Sequence, residues 1–343
     1  MSRRLTTALV ATAAIAALTL SGCSADSSET GAAGSGSSGS GSFPVTIEHA
    51  FGETTIDAEP TRVVAWGWGS ADDAIALGVV PVAIPFQAYG GDDDGVLPWI
   101  SEALDEQGAE LPTVLPDSTE PPYEEIAEAA PDVILAGYSG ITEEQYDLLS
   151  EIAPVVAYPD QPWATDWRDL ISLTGEALGK TEEASDLLTD IDATIAEKAA
   201  EHPEFAGKSV ALTSDSAGTF YIYTDLDPRV TFATDLGFVS APSVSELATD
   251  DSAFFYTLSY EQLDQLSSDV IINFSETQEQ ADTFLSAGYA QVLPQVQAGA
   301  VASPVGAAFV ASVSPPTGLS LTWGIDDYVD QLSEAALAAD AAK

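Results

Sequence analysis

The chain reads as an α/β protein made of two doubly wound lobes joined by a single long helix. Three observations predict this. Its 343 residues are enough for two cores of ordinary domain size. Short, buried-looking runs of Val, Ile, Leu and Ala alternate with amphipathic helical stretches, the pattern of a largely parallel sheet. A helix–turn–strand unit also occurs twice: Tyr123-Glu124-Glu125-Ile126-Ala127-Glu128-Ala129-Ala130-Pro131-Asp132-Val133-Ile134 is echoed by Tyr260-Glu261-Gln262-Leu263-Asp264-Gln265-Leu266-Ser267-Ser268-Asp269-Val270-Ile271. Each copy reads as a short amphipathic helix, a turn at an Asp and a buried strand, so the two mark similar lobes.

The elements follow in order. Residues 1–22 read as a secretory signal, with Arg3 and Arg4 ahead of an apolar run from Ala8 to Leu20 that is too short to span a bilayer. Cys23 is the sole cysteine and cannot form an internal disulfide. It directly follows Leu20-Ser21-Gly22, as in a bacterial lipobox, where the thiol is diacylated and anchors the chain. Residues 23–42 are nearly all Ser, Gly, Ala and acid, a composition that cannot order itself and reads as a flexible tether.

The first lobe spans 43–165. Its strands are expected at Arg62–Trp66, Val79–Ile84, Val133–Ala136 and Val155–Tyr158, with a short helix at Asp72–Gly78 and a long loop at Phe86–Gly95. From Asp166 to His202 the pattern is continuous helix, a strut over 166–202 with Leu187, Leu188, Ile191 and Ile195 on one face, stopped by Pro203. The second lobe spans 203–343. It has strands at Lys208–Thr213, Thr219–Tyr223 and Val270–Asn273, a helix around Phe232–Gly237 and a final helix from about Gly324 to Ala339.

Charge and composition exclude several functions. There are 55 acidic residues against 9 basic ones, a net charge of −46. Nucleic acid is thereby excluded as a partner, because phosphate binding needs basic patches. His49 and His202 are the only histidines, neither has a partner at ligand spacing, and no spare cysteine exists, so a protein-ligated transition metal lacks its usual donors. Nucleophile-elbow and phosphate-loop spacings are missing. Asp92-Asp93-Asp94, between glycines, reads as a solvated loop tip. Nothing demands catalysis, and no catalytic or metal-binding residue is assigned. A lipid-anchored hydrolase using the abundant carboxylates stays open as an alternative.

What the sequence does supply is aromatic residues where strands end. Trp66 and Trp68 follow the first strand, Tyr89 the second, Tyr138 the strand ending at Ala136 and Trp163 the strand ending at Tyr158, while Phe254, Phe255 and Tyr256 precede the second repeat. Ligands of open α/β sheets bind beyond the carboxyl ends of the strands, so these rings point to a pocket for a bulky, weakly charged ligand.

The phrases Pro60-x-Arg62-Val63-Val64, Thr119-Glu120-Pro121-Pro122-Tyr123-Glu124, Pro131-Asp132-Val133-Ile134, Ile152-Ala153-Pro154-Val155-Val156 and Ser259-Tyr260-Glu261, in this order around a long helix, resemble the substrate-binding lipoproteins of bacterial ABC importers for ferric siderophores, relatives of the cobalamin and haem binders. The resemblance covers essentially the whole chain after the signal. It implies a ligand cleft between the lobes, no enzymatic activity and no cofactor beyond the iron of a bound siderophore. The implied partners are a ferric siderophore and an ABC permease with its ATPase; the protein is expected to be a monomer that meets the membrane only through its lipid, on the extracytoplasmic side. Glu124 and Glu261 match the family's paired glutamates that dock to the permease. Strand placement, with family position for Tyr138, Arg229 and Phe255, assigns the pocket to Trp66, Tyr89, Tyr138 and Trp163 of the first lobe and to Tyr221, Arg229, Phe255 and Phe309 of the second. Ser118 stands where hydroxamate binders often carry arginine, and only Arg168 and Arg229 are candidates for cleft cations. So acidic a protein would repel an anionic ferric tris-catecholate or citrate, which favours a neutral or cationic ferric hydroxamate. Haem or cobalamin binding on the same fold is the other alternative.

Overall fold

A computed structural model describes residues 41–249 and 253–343; the signal segment, Cys23 and the tether up to residue 40 lie outside the described residues. An antiparallel hairpin of β1 (Val45–His49) and β2 (Gly52–Ile56) precedes the first main sheet. That sheet comprises β3 (Val63–Ala65), β4 (Ala83–Ile84), β5 (Thr113–Val114), β6 (Val133–Ala136) and β7 (Val155–Ala157), in the order β5-β4-β3-β6-β7, with every pairing parallel. Helices cover such a sheet on both faces, which is why β6 is buried along its whole length and reads as a continuous apolar run.

The second sheet comprises β8 (Ser209–Ser216), β9 (Thr219–Tyr223), β10 (Val239–Ser240), β11 (Phe255–Leu258), β12 (Val270–Phe274) and β13 (Val301–Ala302). Its order is β11-β9-β8-β12-β13, with β10 beside the start of β8. Here the sequence expectation of a parallel sheet is only half met. β8 and β9 form an antiparallel hairpin turned at Ala217-Gly218, and β11 adds antiparallel to β9.

The repeated units land in equivalent places. β6 lies parallel to β3, and β12 parallel to β8. The Asp just before each strand performs the same task. Asp132 accepts hydrogen bonds from the backbone N–H of Thr61 (2.7 Å) and Arg62 (2.9 Å), and Asp269 accepts from the backbone N–H of Ser209 (2.9 Å). Each carboxylate therefore fixes where its neighbour strand begins. The Ser209 N–H is the main reason the Asp269 carboxyl is held below its ordinary pKa, with Lys343 adding to it. One difference separates the copies: Tyr123–Glu128 is α-helical, whereas Tyr260–Gln265 is a 3-10 helix.

The continuous helix expected over 166–202 is in fact two helices, Trp167–Ala177 and Thr181–Glu201. Gly179, at φ 68°, turns the chain between them and leaves no room for a Cβ beside the Phe43 ring. The helices then pack closely, since a Cβ on Gly175 would stand 2.5 Å from that of Ala184. The second helix has 21 residues and a length of roughly 30 Å. It buries Ile191 and Ile195 in the second lobe's core and is the true connecting rod.

The lobes do not merely touch. Leu77, Trp167 and Ile171 belong to the core that surrounds Phe232 and Tyr328, and Ala311 belongs to the core of the first sheet around Trp99. The helix Ser70–Ala76 begins at this junction with Asp72 and Asp73, both buried. Asp72 accepts from Trp99 Nε1 and from Thr317 Oγ1 (2.7 Å), and Asp73 accepts from the Gly318 N–H (2.9 Å). Burial raises both carboxyl pKa values, that of Asp73 well above the ordinary range, where the neighbouring Asp72 charge adds to the effect.

A carboxyl whose pKa is higher in the folded than in the unfolded chain binds its proton more tightly when folded. Its contribution to stability is present below the unfolded pKa and is lost as the pH rises through the folded one. Asp73→Asn removes that proton. Urea unfolding of both proteins should show the wild type losing about 1 kcal/mol or more relative to the variant between about pH 4 and about pH 8. The same stability difference at both pH values would show that Asp73 is not linked to folding.

Candidate functional site

The loops after β3, β4, β5, β6 and β7 leave the carboxyl edge of the first sheet and enclose a cavity of about 420 Å³. Trp66, Trp68 and Phe86 supply its aromatic surface, Gln87, Ser118 and Gln145 its polar groups, and Trp163 its outer edge. Among the described residues, no charged side chain lines it. Trp163 is 47% exposed, yet its position is fixed. Its backbone is left-handed at φ 59°, its N–H donates to Ser139 O at 3.1 Å, and its indole lies so close over Gly140 that a Cβ there would overlap it. Tyr138 meets Trp163 edge-on with ring centroids 5.7 Å apart.

A second cavity, of about 240 Å³, is lined by Tyr89 from the first lobe and by Ser214, Asp215, Tyr223, Arg229, Phe274 and Glu276 from the second. Asp227 caps the helix Pro228–Asp235 by accepting from the Arg229 N–H, and Pro228 starts that helix. The same carboxylate takes both Nε and Nη2 of Arg229, each at 2.6 Å. The guanidinium also lies 3.6 Å from the centroid of the Tyr223 ring. Burial, the largest single influence, would lower the Arg229 pKa, but the charge of Asp227 and its hydrogen bonds, with smaller help from Tyr223 and Tyr138, together outweigh it and raise the pKa.

Two first-lobe tyrosines face charges of the second lobe. Burial lifts the Tyr138 hydroxyl to a pKa of about 12, and the next contribution comes from Asp227 across the cleft. Tyr89 is likewise raised to about 12, by burial and then by the charge of Glu276. First-lobe phenols thus stand within electrostatic reach of second-lobe charges.

The eight residues expected to line the pocket are distributed as follows. Trp66 and Trp163 line the first cavity and Tyr89 and Arg229 the second, while Tyr138 lines neither but packs on Trp163 at the edge of the first. Tyr221 and Phe255 lie on the face of the second sheet that carries Tyr223, their rings 5.7 Å apart, but outside both cavities. Phe309 packs against the second lobe's core and lines neither cavity. Arg168 is no cleft cation. It pairs with Asp192 and Asp235, both at 2.8 Å, and ties three helices together. Sequence reading missed Tyr223, although the alternation in β9 carries the signal: Phe220 and Ile222 face the core, so Tyr221 and Tyr223 share the opposite face. Glu124 and Glu261 are both exposed at the starts of their helices. Among the described residues, no three His, Cys, Asp or Glu side chains converge as a metal site.

Two α/β lobes around aromatic cavities, with an arginine already paired, define a binding protein that holds a solute between its lobes. The chain belongs to the periplasmic binding protein family, which matches residues 63–303. It is 29% identical over 234 residues, 67% of this chain and 68% of the other, to the probable siderophore-binding lipoprotein YfiY of Bacillus subtilis. Its fold is similar to PiaA of Streptococcus pneumoniae in complex with ferrichrome, with 37% identity, a TM-score of 0.78 and coverage of 85% of this chain and 99% of that one. A periplasmic solute binding protein of Mycobacterium smegmatis is 28% identical at a TM-score of 0.73, over 85% of this chain and 98% of that one. The family consists of substrate-binding proteins and not enzymes, and the hydrolase alternative falls with that finding.

The tight seat of Trp163 is testable. Gly140→Ala places a methyl group where the indole lies, and overpacking of this kind costs about 1–3 kcal/mol. Near-ultraviolet circular dichroism and Trp emission should change while the far-ultraviolet spectrum does not. Unaltered Trp signals would mean that the indole is not held against Gly140.

Proposed function

We propose that this protein is a lipid-anchored extracytoplasmic receptor that captures a ferric siderophore, of hydroxamate type, and delivers it to an ABC importer. The observation that carries the reading is the likeness to PiaA, whose structure holds ferrichrome, across nearly that entire protein, together with aromatic cavities at the sheet edge of this chain. A ferric trihydroxamate is bulky and largely apolar around a buried metal. Indole and phenol rings can pack on its carbon skeleton while N–H and O–H groups meet its oxygens.

In this reading the first lobe (43–165) and the second (203–343) hold the ligand, with the helical segment 166–202 joining them. Trp66, Tyr89, Tyr138, Trp163 and Arg229 are the proposed contacts, with Tyr223 added from the geometry of β9 and Tyr221 and Phe255 flanking it on the same sheet face; Phe309, packed against the core, is not among them. Iron enters as part of the ligand. Titration with ferrichrome should quench Trp emission saturably, with weaker change for the iron-free form. Tyr138→Ala should weaken binding by about 2 kcal/mol, as truncating a buried aromatic anchor does. Absence of binding to every ferric siderophore, haem and cobalamin in a panel would refute the receptor reading, and unaltered affinity in Tyr138→Ala would remove that residue from the site.

Anchoring and delivery are tested in cells. Cys23 is the proposed lipid site, so Cys23→Ala should release the protein into the soluble fraction; continued membrane retention would refute the anchor. Glu124 and Glu261 are the proposed docking pair for the permease, and such exposed charges orient a partner more than they tighten it. The double change to Ala should keep ligand affinity and abolish iron uptake. Undiminished uptake would end the docking assignment.

A further inference from the structure

Arg229, the one arginine that lines either cavity among the described residues, carries no net charge into the cleft. Both Nε and Nη2 of Arg229 are held by the Asp227 carboxylate, whose side chain is 1% exposed, while that of Arg229 is 17% exposed. Breaking so buried a pair would leave a desolvated charge without its partner, so Arg229 is not free to exchange Asp227 for an anionic ligand. Around the pair stand further acids. Glu276 lines the same cavity and makes no ion pair among the described residues; Asp215 lines it too, with its oxygens on the hydroxyls of Tyr260 (2.7 Å) and Tyr289 (2.5 Å). Among the described residues, the lining of the first-lobe cavity contributes no charge of either sign. The formal balance of the lining is therefore negative on the second-lobe side and zero on the first.

We propose that the cleft is a charge filter, set by Asp227, which admits neutral and cationic ferric complexes and rejects anionic ones. The inference rests on the siderophore reading and adds the residue that determines its selectivity. Arg229 keeps N–H groups for oxygen atoms of a neutral ligand but offers no uncompensated positive charge. Glu276, at the cavity wall and open to solvent, adds attraction for a ligand bearing an ammonium group. The filter depends on local pairing, so one carboxylate can reverse it. In Asp227→Asn the side-chain oxygen that caps the helix is retained, because Asn is as good an N-cap as Asp, and the guanidinium becomes a net charge.

The test uses three probes on the folded protein: ferrichrome as the neutral trihydroxamate, ferrioxamine B as a cationic one, and a triply anionic ferric tris-catecholate. Wild type should bind the first two within roughly tenfold of each other and the anion on the order of a hundredfold more weakly, the size of effect that charge mismatch across a buried site produces. Asp227→Asn should narrow the gap between catecholate and ferrichrome by about tenfold. Glu276→Gln, a surface change that leaves the core intact, should narrow it by a few fold and weaken ferrioxamine B relative to ferrichrome. Equal affinity of wild type for the anion and ferrichrome would overturn the filter while leaving the siderophore reading in place. So would ratios that neither variant moves. Wild-type protein that binds none of the ferric complexes would overturn the reading and the filter together.

Discussion

Asp72 and Asp73 begin a helix at the place where the lobes share their cores, and the geometry of the cleft follows from how they are held. Desolvating two adjacent carboxyl groups costs several kcal/mol unless donors replace water. The donors come from distant parts of the chain: the Trp99 indole, the Thr317 hydroxyl and the Gly318 backbone. Segment 314–320, which carries two of them, also receives a hydrogen bond from Trp68 Nε1, at Pro315 O. The first-lobe helix and the C-terminal chain are thus tied within a few residues of the Trp68 that lines the cavity. Opening the lobes by any large angle would expose shared core residues such as Leu77 and Ala311 and strand the carboxyl groups. Small rotations that preserve these bonds are the motion the junction permits.

Repetition explains why so much of the fold was legible. Two units with Asp ahead of an apolar strand appear in the sequence, and each Asp anchors the start of the strand beside it. The pattern of local sequence carries this because the interactions are local to a strand end. Where tertiary contact decides, legibility stops. Gly179 breaks the expected 166–202 helix because the chain must fold back there, and helical periodicity simply continues in phase across the break. β9 and β11 pair antiparallel, and alternation looks the same in either direction. The destination of Arg168 depends on Asp192 and Asp235, two residues distant in the chain that meet only once the helices pack.

The site divides in the same way. Aromatics at strand ends were visible, since the rule placing ligands beyond carboxyl edges needs only strand positions. Tyr221 and Phe255 lie on the same sheet face as Tyr223 but beyond the cavity, because alternation gives the face and not how far along the sheet the cavity extends. Phe309 is amid apolar neighbours and packs against the core. The pairing of Arg229 was written in three consecutive residues. Asp227-Pro228-Arg229 is a helix-start signature, and a capping Asp two residues before an Arg is within reach of its guanidinium.

That pairing also changes how the protein's large negative charge bears on ligand choice. A net charge of −46 taken as a whole would dictate repulsion of anions, but most of those carboxylates lie on solvated surface. At physiological salt their fields fade within about 8 Å, so distant acids contribute little at the bottom of a cleft. Buried charges are screened far less. The decision therefore falls to the few groups inside: one guanidinium and the carboxylate that cancels it, with Glu276 at the wall. Two proteins of the same acidic composition could accept opposite ligands if one lacked the Asp before its arginine. The charge that matters is local, and in this chain it is set by the residue that also starts the helix.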